Sequence, residues 1–176
     1  VGGSAVIPFN DIAAVEKAVT RQTAALVLEP VQWASGCEVA RTDYLKAVKD
    51  HCQKVGALLI FDEVQCGLGR AGTLWGHTPM GVIPDMMCVG KVLSGGMMPL
   101  AAVLYNARVR QGEQDRPQFN NSSYGGNPMS CAAGLAALEV LIDDGLLQRA
   151  TELGDRLGQA LDHWVEKHPK ALKSHR

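Results

Sequence analysis

Ala57-Leu58-Leu59-Ile60-Phe61-Asp62-Glu63 is the stretch that decides the fold: an unbroken apolar run that ends on two carboxylates. A run without polar alternation marks a strand covered on both sides, the kind found in parallel sheets. The same pattern recurs on either side of it. Upstream, residues 24–28 form a short apolar run that ends at Glu29-Pro30. Downstream, Pro84 precedes Met86-Met87-Cys88-Val89, which runs into Gly90-Lys91, and residues 100–105 give a fourth run.

Helical spacing fills the intervals. Asn10-Asp11 opens a segment with Ile12, Val15, Ala18 and Val19 on one face. Thr42 reads as the N-cap of a helix carrying Leu45, Val48, Cys52 and Val55, stopped by Gly56. Asn127-Pro128 is a helix start, with Asn as cap and Pro at the first helical position. That helix sets Cys131, Leu135, Leu138 and Ile142 on one stripe, and its Ala132, Ala133, Gly134, Ala136 and Ala137 allow close approach of neighbouring backbone. A last helix aligns Leu146, Ala150, Leu153, Leu157, Leu161 and Trp164. Strands alternating with helices predict an α/β fold, a mostly parallel sheet with helices on both faces.

The 176 residues suffice for one domain with a sizeable core. The 17 basic and 18 acidic residues nearly cancel, so neither a nucleic-acid nor a membrane partner is expected. No run approaches the ~20 apolar residues of a membrane span, and no basic-then-apolar leader opens the chain, which predicts a cytoplasmic location. Five scattered cysteines without a CxxC pair fit reduced thiols, and the five histidines do not join them at zinc-ligand spacing, so no metal is expected. A start at Val1 without methionine and a basic end at Lys173-Ser174-His175-Arg176 suggest a piece of a longer protein.

Ligands of open parallel sheets sit at the carboxyl ends of the strands. That rule selects Glu29, Asp62 and Lys91, two carboxylates and an amine expected on one rim. Two phosphate motifs compete for attention. Gly67-Leu68-Gly69-Arg70-Ala71-Gly72 matches GxGxxG, but a dinucleotide site needs a helix to start there, and Thr73-Leu74-Trp75-Gly76-His77-Thr78-Pro79 has no helical period. Gly90-Lys91 resembles the end of a P-loop, but Val92 stands where Ser or Thr is required.

The blocks Leu28-Glu29-Pro30-Val31-Gln32, then residues 59–72, Gly81-Val82-Ile83-Pro84-Asp85, Gly90-Lys91 and Ser123-Tyr124-Gly125-Gly126-Asn127-Pro128 together resemble class III pyridoxal-phosphate (PLP) aminotransferases, in order and in separation. The resemblance covers roughly residues 9–141. It implies a fold type I large domain over residues 1–145, incomplete here, with residues 146–176 as a helix leading toward a small C-terminal domain. It implies PLP as cofactor, held as a Schiff base by Lys91, which also shuttles a proton. It makes Asp62 the carboxylate that keeps the ring nitrogen protonated. Gln65 is similar to the family glutamine on the phenolic oxygen, Val64 to the residue packed on the ring, and Glu29 to an acidic residue just behind the cofactor. Ser123 takes the place of a hydroxyl that reaches the other subunit's phosphate, which implies a homodimer.

The implied reaction moves an amino group from an amino donor to a 2-oxo acid. A decarboxylase, racemase or aminomutase of the same fold is the alternative, and a nicotinamide oxidoreductase using Gly67 to Gly72 is a different class of answer, as is a non-catalytic chain that folds only against a partner. Several donor-specific members continue Glu-Pro-x-Gln with Gly-Glu, whereas this chain has Trp33-Ala34, so a glutamate–arginine substrate switch is not expected here. Without the upstream and downstream segments of the family, the chain alone is expected to be inactive.

Overall fold

The computed structural model describes residues 3–114 and 122–175. Four strands form the main sheet: β1 (Ala25–Leu28), β4 (Leu58–Asp62), β5 (Met86–Val89) and β6 (Ala102–Tyr105), in the order β1-β4-β5-β6. β1 pairs with β4 and β4 with β5 in parallel, while β6 runs antiparallel to β5. The mostly parallel sheet expected from the apolar runs is therefore the one observed. A short hairpin of β2 (Val31–Gln32) and β3 (Glu38–Val39) follows β1.

Helix α1 (Ile12–Ala18) starts at Asp11, whose carboxylate accepts from the backbone N–H of Ala14 at 3.0 Å. Helix α2 (Thr42–Val55) ends at Gly56 in the left-handed conformation, as the glycine requires. Its cap differs from expectation: Arg41 is the N-cap and Thr42 is already helical, with no side-chain cap bond. The entry is held instead by Asn10, whose Oδ1 accepts from Arg41 N–H at 2.9 Å and whose Nδ2 donates to the Val39 carbonyl. Val15 of α1 and Tyr44, Leu45, Val48 and Cys52 of α2 are buried in the core that contains Leu28, Leu59, Phe61, Met87 and Val89. These strand residues are alternate ones in matched register, so they share one face of the sheet.

Helix α3 (Ala107–Gln114) follows β6, and α4 (Pro128–Asp143) and α5 (Leu146–Lys167) close the chain. Asn127 caps α4, accepting from Met129 and Ser130 N–H at 3.1 and 3.2 Å. The face that α4 buries is not the one its large residues mark. Ser130 and Gly134 are buried and Leu138 of the expected stripe packs partly buried on the core, while Cys131, Leu135 and Ile142 are exposed. Small side chains let α4 settle on the single 3-10 turn Lys91–Ser94; a Cβ on Gly134 would fall 2.5 Å from Leu100 Cδ2 and 3.4 Å from the Leu93 carbonyl. No residue of α5 is buried, although Thr151 on it donates to the Gly72 carbonyl at 3.3 Å.

Candidate active site

The three residues selected by the strand-end rule stand where three parallel strands finish side by side: Glu29 directly after β1, Asp62 as the last residue of β4, and Lys91 two residues beyond β5. Their charges meet at Glu29. Burial lifts the Glu29 carboxyl above its ordinary value, the Asp62 carboxylate lifts it further, and the Lys91 ammonium pulls against both. Asp62 also adds to burial in pushing up the thiol of Cys88, its register partner on β5. One rim thus brings the Asp62 carboxylate and the Lys91 amine within electrostatic reach of Glu29.

Two further expected residues join the rim. Lys91 Nζ donates to Gln65 Oε1. Asp62 Oδ1 accepts from the backbone N–H of Val64 at 3.0 Å, and the Val64 side chain lies 3.7 Å from where a Cβ on Gly90 would sit. Lys91 departs from its apolar setting in the chain. It is exposed on the rim, and its backbone is left-handed, with φ 48°. Ser123 is not brought to the group by any hydrogen bond among the described residues; it is exposed in the turn that leads to Asn127. No helix starts at Gly67 to Gly72, a run of turns, so the feature a dinucleotide site requires is missing. Among the described residues no group of His, Cys, Asp and Glu side chains could hold a metal ion.

Sequence reasoning overlooked a second carboxylate beside Asp62. Glu63 is fully buried and accepts from the backbone N–H groups of Gly76 at 2.8 Å and His77 at 2.9 Å, from His77 Nδ1 at 2.6 Å, and from Cys66 Sγ at 3.1 Å. Burial alone would push its pKa up, but these bonds, the imidazole's foremost, hold it below the ordinary value. Burial and the adjacent Glu63 raise the Cys66 thiol to about 12, so it is no nucleophile. A signal was available in the period of two: Leu59, Phe61 and Glu63 alternate with Leu58, Ile60 and Asp62, and Glu63 N–H still bonds the Cys88 carbonyl at 2.9 Å, which extends the ladder past β4. Glu63 belongs to the core face and Asp62 to the open one.

The set fits a pyridoxal-type cofactor. An amine able to condense with an aldehyde, a carboxylate for a ring cation and an amide for a phenolic oxygen stand together at the end of the sheet.

Comparison with known proteins places nearly the whole chain in one family. The family model "Aminotransferase class-III" matches residues 5–176. An ornithine aminotransferase of Macrococcus caseolyticus is 39% identical over 155 residues, 88% of this chain and 38% of that protein. An acetylornithine aminotransferase of Methanocaldococcus jannaschii is 39% identical over 166 residues, 94% of this chain and 41% of that one. Among solved structures, the ornithine aminotransferase of Toxoplasma gondii, seen with partial occupancy of PLP at its active site, matches with a TM-score of 0.85 at 36% identity, covering 93% of this chain and 38% of its own. The acetylornithine aminotransferase of Elizabethkingia anophelis matches with a TM-score of 0.83 at 39% identity, covering 92% and 40%. The chain spans about two fifths of the length of the relatives it matches. With the family model covering nearly its whole length and the rim of β1, β4 and β5 carrying the residues described, the chain belongs to the class-III aminotransferases.

Proposed function

We propose that this chain is the cofactor-bearing part of a PLP-dependent enzyme that transfers an amino group from an amino donor to a 2-oxo acid. The observation that carries the proposal is the Lys91–Gln65 bond at the ends of two adjacent parallel strands, the first of which finishes on Asp62. When bound, PLP supplies an electron-withdrawing ring that takes up the electron pair released as a proton leaves the substrate carbon.

The protein's own residues do the rest. Lys91 Nζ would hold the cofactor covalently and would carry the proton at the reacting carbon. Asp62 sets a negative charge beside the ring nitrogen and so keeps it protonated. Gln65 would hold the phenolic oxygen, Val64 would pack on the ring, and Glu29 would add negative charge near Asp62. Ser123 contacts the phosphate of a second subunit in a homodimer. In this assignment residues 1–145 belong to the large domain and 146–176 lead toward a small one. No helix among the described residues is long and apolar enough to cross a membrane, and the five cysteines are free, in keeping with a reducing, cytoplasmic setting.

The test is reduction of the PLP-loaded whole protein with borohydride, followed by mass analysis. The expected result is a phosphopyridoxyl group on Lys91 and none in Lys91→Ala; a label on another lysine overturns the assignment. Amino transfer that requires a 2-oxo acid, measured with ornithine and acetylornithine as donors, separates an aminotransferase from a decarboxylase, racemase or aminomutase of the same fold.

A further inference from the structure

We propose that Glu63 is the positioning residue of this rim: its buried carboxylate closes the loop of residues 63–77 on itself and thereby sets Gln65 Oε1 against Lys91 Nζ. The inference rests on the reading of Lys91 as a functional amine, but it concerns how this chain presents that amine.

Gln65 stands between two ties to the end of β4. On one side Val64 N–H bonds Asp62 Oδ1 at 3.0 Å; on the other, Cys66 Sγ donates to Glu63 Oε2 at 3.1 Å. The far end of the loop comes back to the same carboxylate through Gly76 N–H, His77 N–H and His77 Nδ1. One side chain therefore joins both ends of the loop that carries Gln65. The fit leaves no spare room. A Cβ on Gly67 would lie 2.8 Å from the Glu63 carbonyl and 3.2 Å from Glu63 Oε2, and a Cβ on Gly76 would lie 3.0 Å from Cys66 Sγ and 3.1 Å from Glu63 Oε2. The first glycine of the GxGxxG run is thus required by the Glu63 backbone carbonyl first and its carboxylate second, without any phosphate. Its later glycines serve the helices: Gly69 (φ +86°) abuts Leu141 and Leu147, and Gly72 (φ +82°) abuts Thr151.

A buried carboxylate with four donors is costly to disturb, because each donor is left without a partner. Neutralising it loosens both ends of the loop together, and Gln65 is the member of that loop that touches Lys91. With the acceptor withdrawn, Lys91 Nζ is no longer held against Gln65 and is freer to meet a reagent.

The experiment uses the whole protein freed of PLP, and measures how fast acetic anhydride labels Lys91 at one fixed neutral pH, read residue by residue by mass. Glu63→Gln, Gln65→Ala and the double variant are compared with the parent. Both single variants are expected to raise the Lys91 rate roughly five-fold, the worth of one such bond, and the double variant no more than Gln65→Ala alone. A Glu63→Gln rate equal to the parent's, an additive double variant, or a Gln65→Ala rate that does not move each overturns the proposal. If Glu63→Gln lacks a cooperative unfolding transition, His77→Gln takes its place with the same expected and overturning results. Reduction with borohydride, run in parallel, keeps the two ideas apart: a phosphopyridoxyl label elsewhere than Lys91 sinks the cofactor assignment and leaves the measured coupling of Glu63 to Lys91 standing.

Discussion

At the scale of single residues, Lys91 combines a proposed chemical role with an unfavourable backbone. A lysine at φ 48° sits in the left-handed region, which costs an L-residue about 1–2 kcal/mol. The conformation is kept because the turn of residues 91–94 is pinned between β5 and α4, and strain of this sort gathers where geometry matters more than stability. Nothing in Val89-Gly90-Lys91-Val92 announces it, since lysine is no turn former. The consequence is measurable. Lys91→Gly and Lys91→Ala remove the same amine, but only glycine relieves the backbone, so the glycine variant should resist urea better by about 1 kcal/mol. A glycine variant weaker than the alanine variant would mean that the turn is unstrained.

At the scale of elements, one buried carboxylate at the opposite end of the strands ties the sheet together. Asp85 accepts from Leu59 N–H at 2.9 Å, from Asn106 Nδ2 at 2.9 Å and from Lys49 Nζ at 3.2 Å, so a single side chain joins β4, the end of β6 and α2. Burial alone would raise its pKa, but the bonds from Leu59, Asn106 and Lys49 hold it below the ordinary 3.8. A depressed pKa means that the unfolded chain binds the proton more readily than the folded one. The stability Asp85 contributes is therefore full above its unfolded value and is lost as pH falls through the folded one. Asp85→Asn should cost about 3 kcal/mol at neutral pH and flatten the fall of the urea midpoint in acid; an unchanged acid slope would show that other carboxylates govern it. In the sequence Asp85 stands out only as the last residue of the block Gly81-Val82-Ile83-Pro84-Asp85, with nothing to mark it as a tie between elements. Strands and helices were legible from unbroken apolar runs and from start and stop residues: residues 57–61, the Asn127-Pro128 start and the Gly56 stop stand where expected, to within a residue. The β2–β3 hairpin has two residues per strand and no period to read. The buried face of α4 was hidden for another reason, because packing there is chosen by what is small. Of the rim, the strand-end rule located Glu29, Asp62 and Lys91, whereas Glu63 beside Asp62 was given no role.

At the scale of the whole molecule, the apolar surface left open bears on what the chain does alone. Helices α1 and α2 cover the face of Leu59 and Phe61, but on the opposite face Val27 is 59% exposed and Val103 52%. Along α5, Leu157 is 61% and Trp164 57% exposed, and α4 is apolar nearly all round, a pattern of helices enclosed on every side. Among the described residues β1 and β6 are the edge strands of the sheet. Soluble monomers rarely leave contiguous apolar patches beyond a few hundred Å² open to water, and open strand edges recruit other chains. A chain spanning 38% of a relative's length has relatives in which far more polypeptide is present to cover such surfaces. The 176 residues expressed by themselves should accordingly bind a dye specific for apolar surface and sediment as concentration-dependent aggregates or oligomers, while the whole protein does neither beyond its own assembly. A monomeric, dye-silent chain at micromolar concentration would require the exposed faces of the sheet and of α5 to close on each other, and the packing of α4 against the turn at Lys91 would then have to be redrawn.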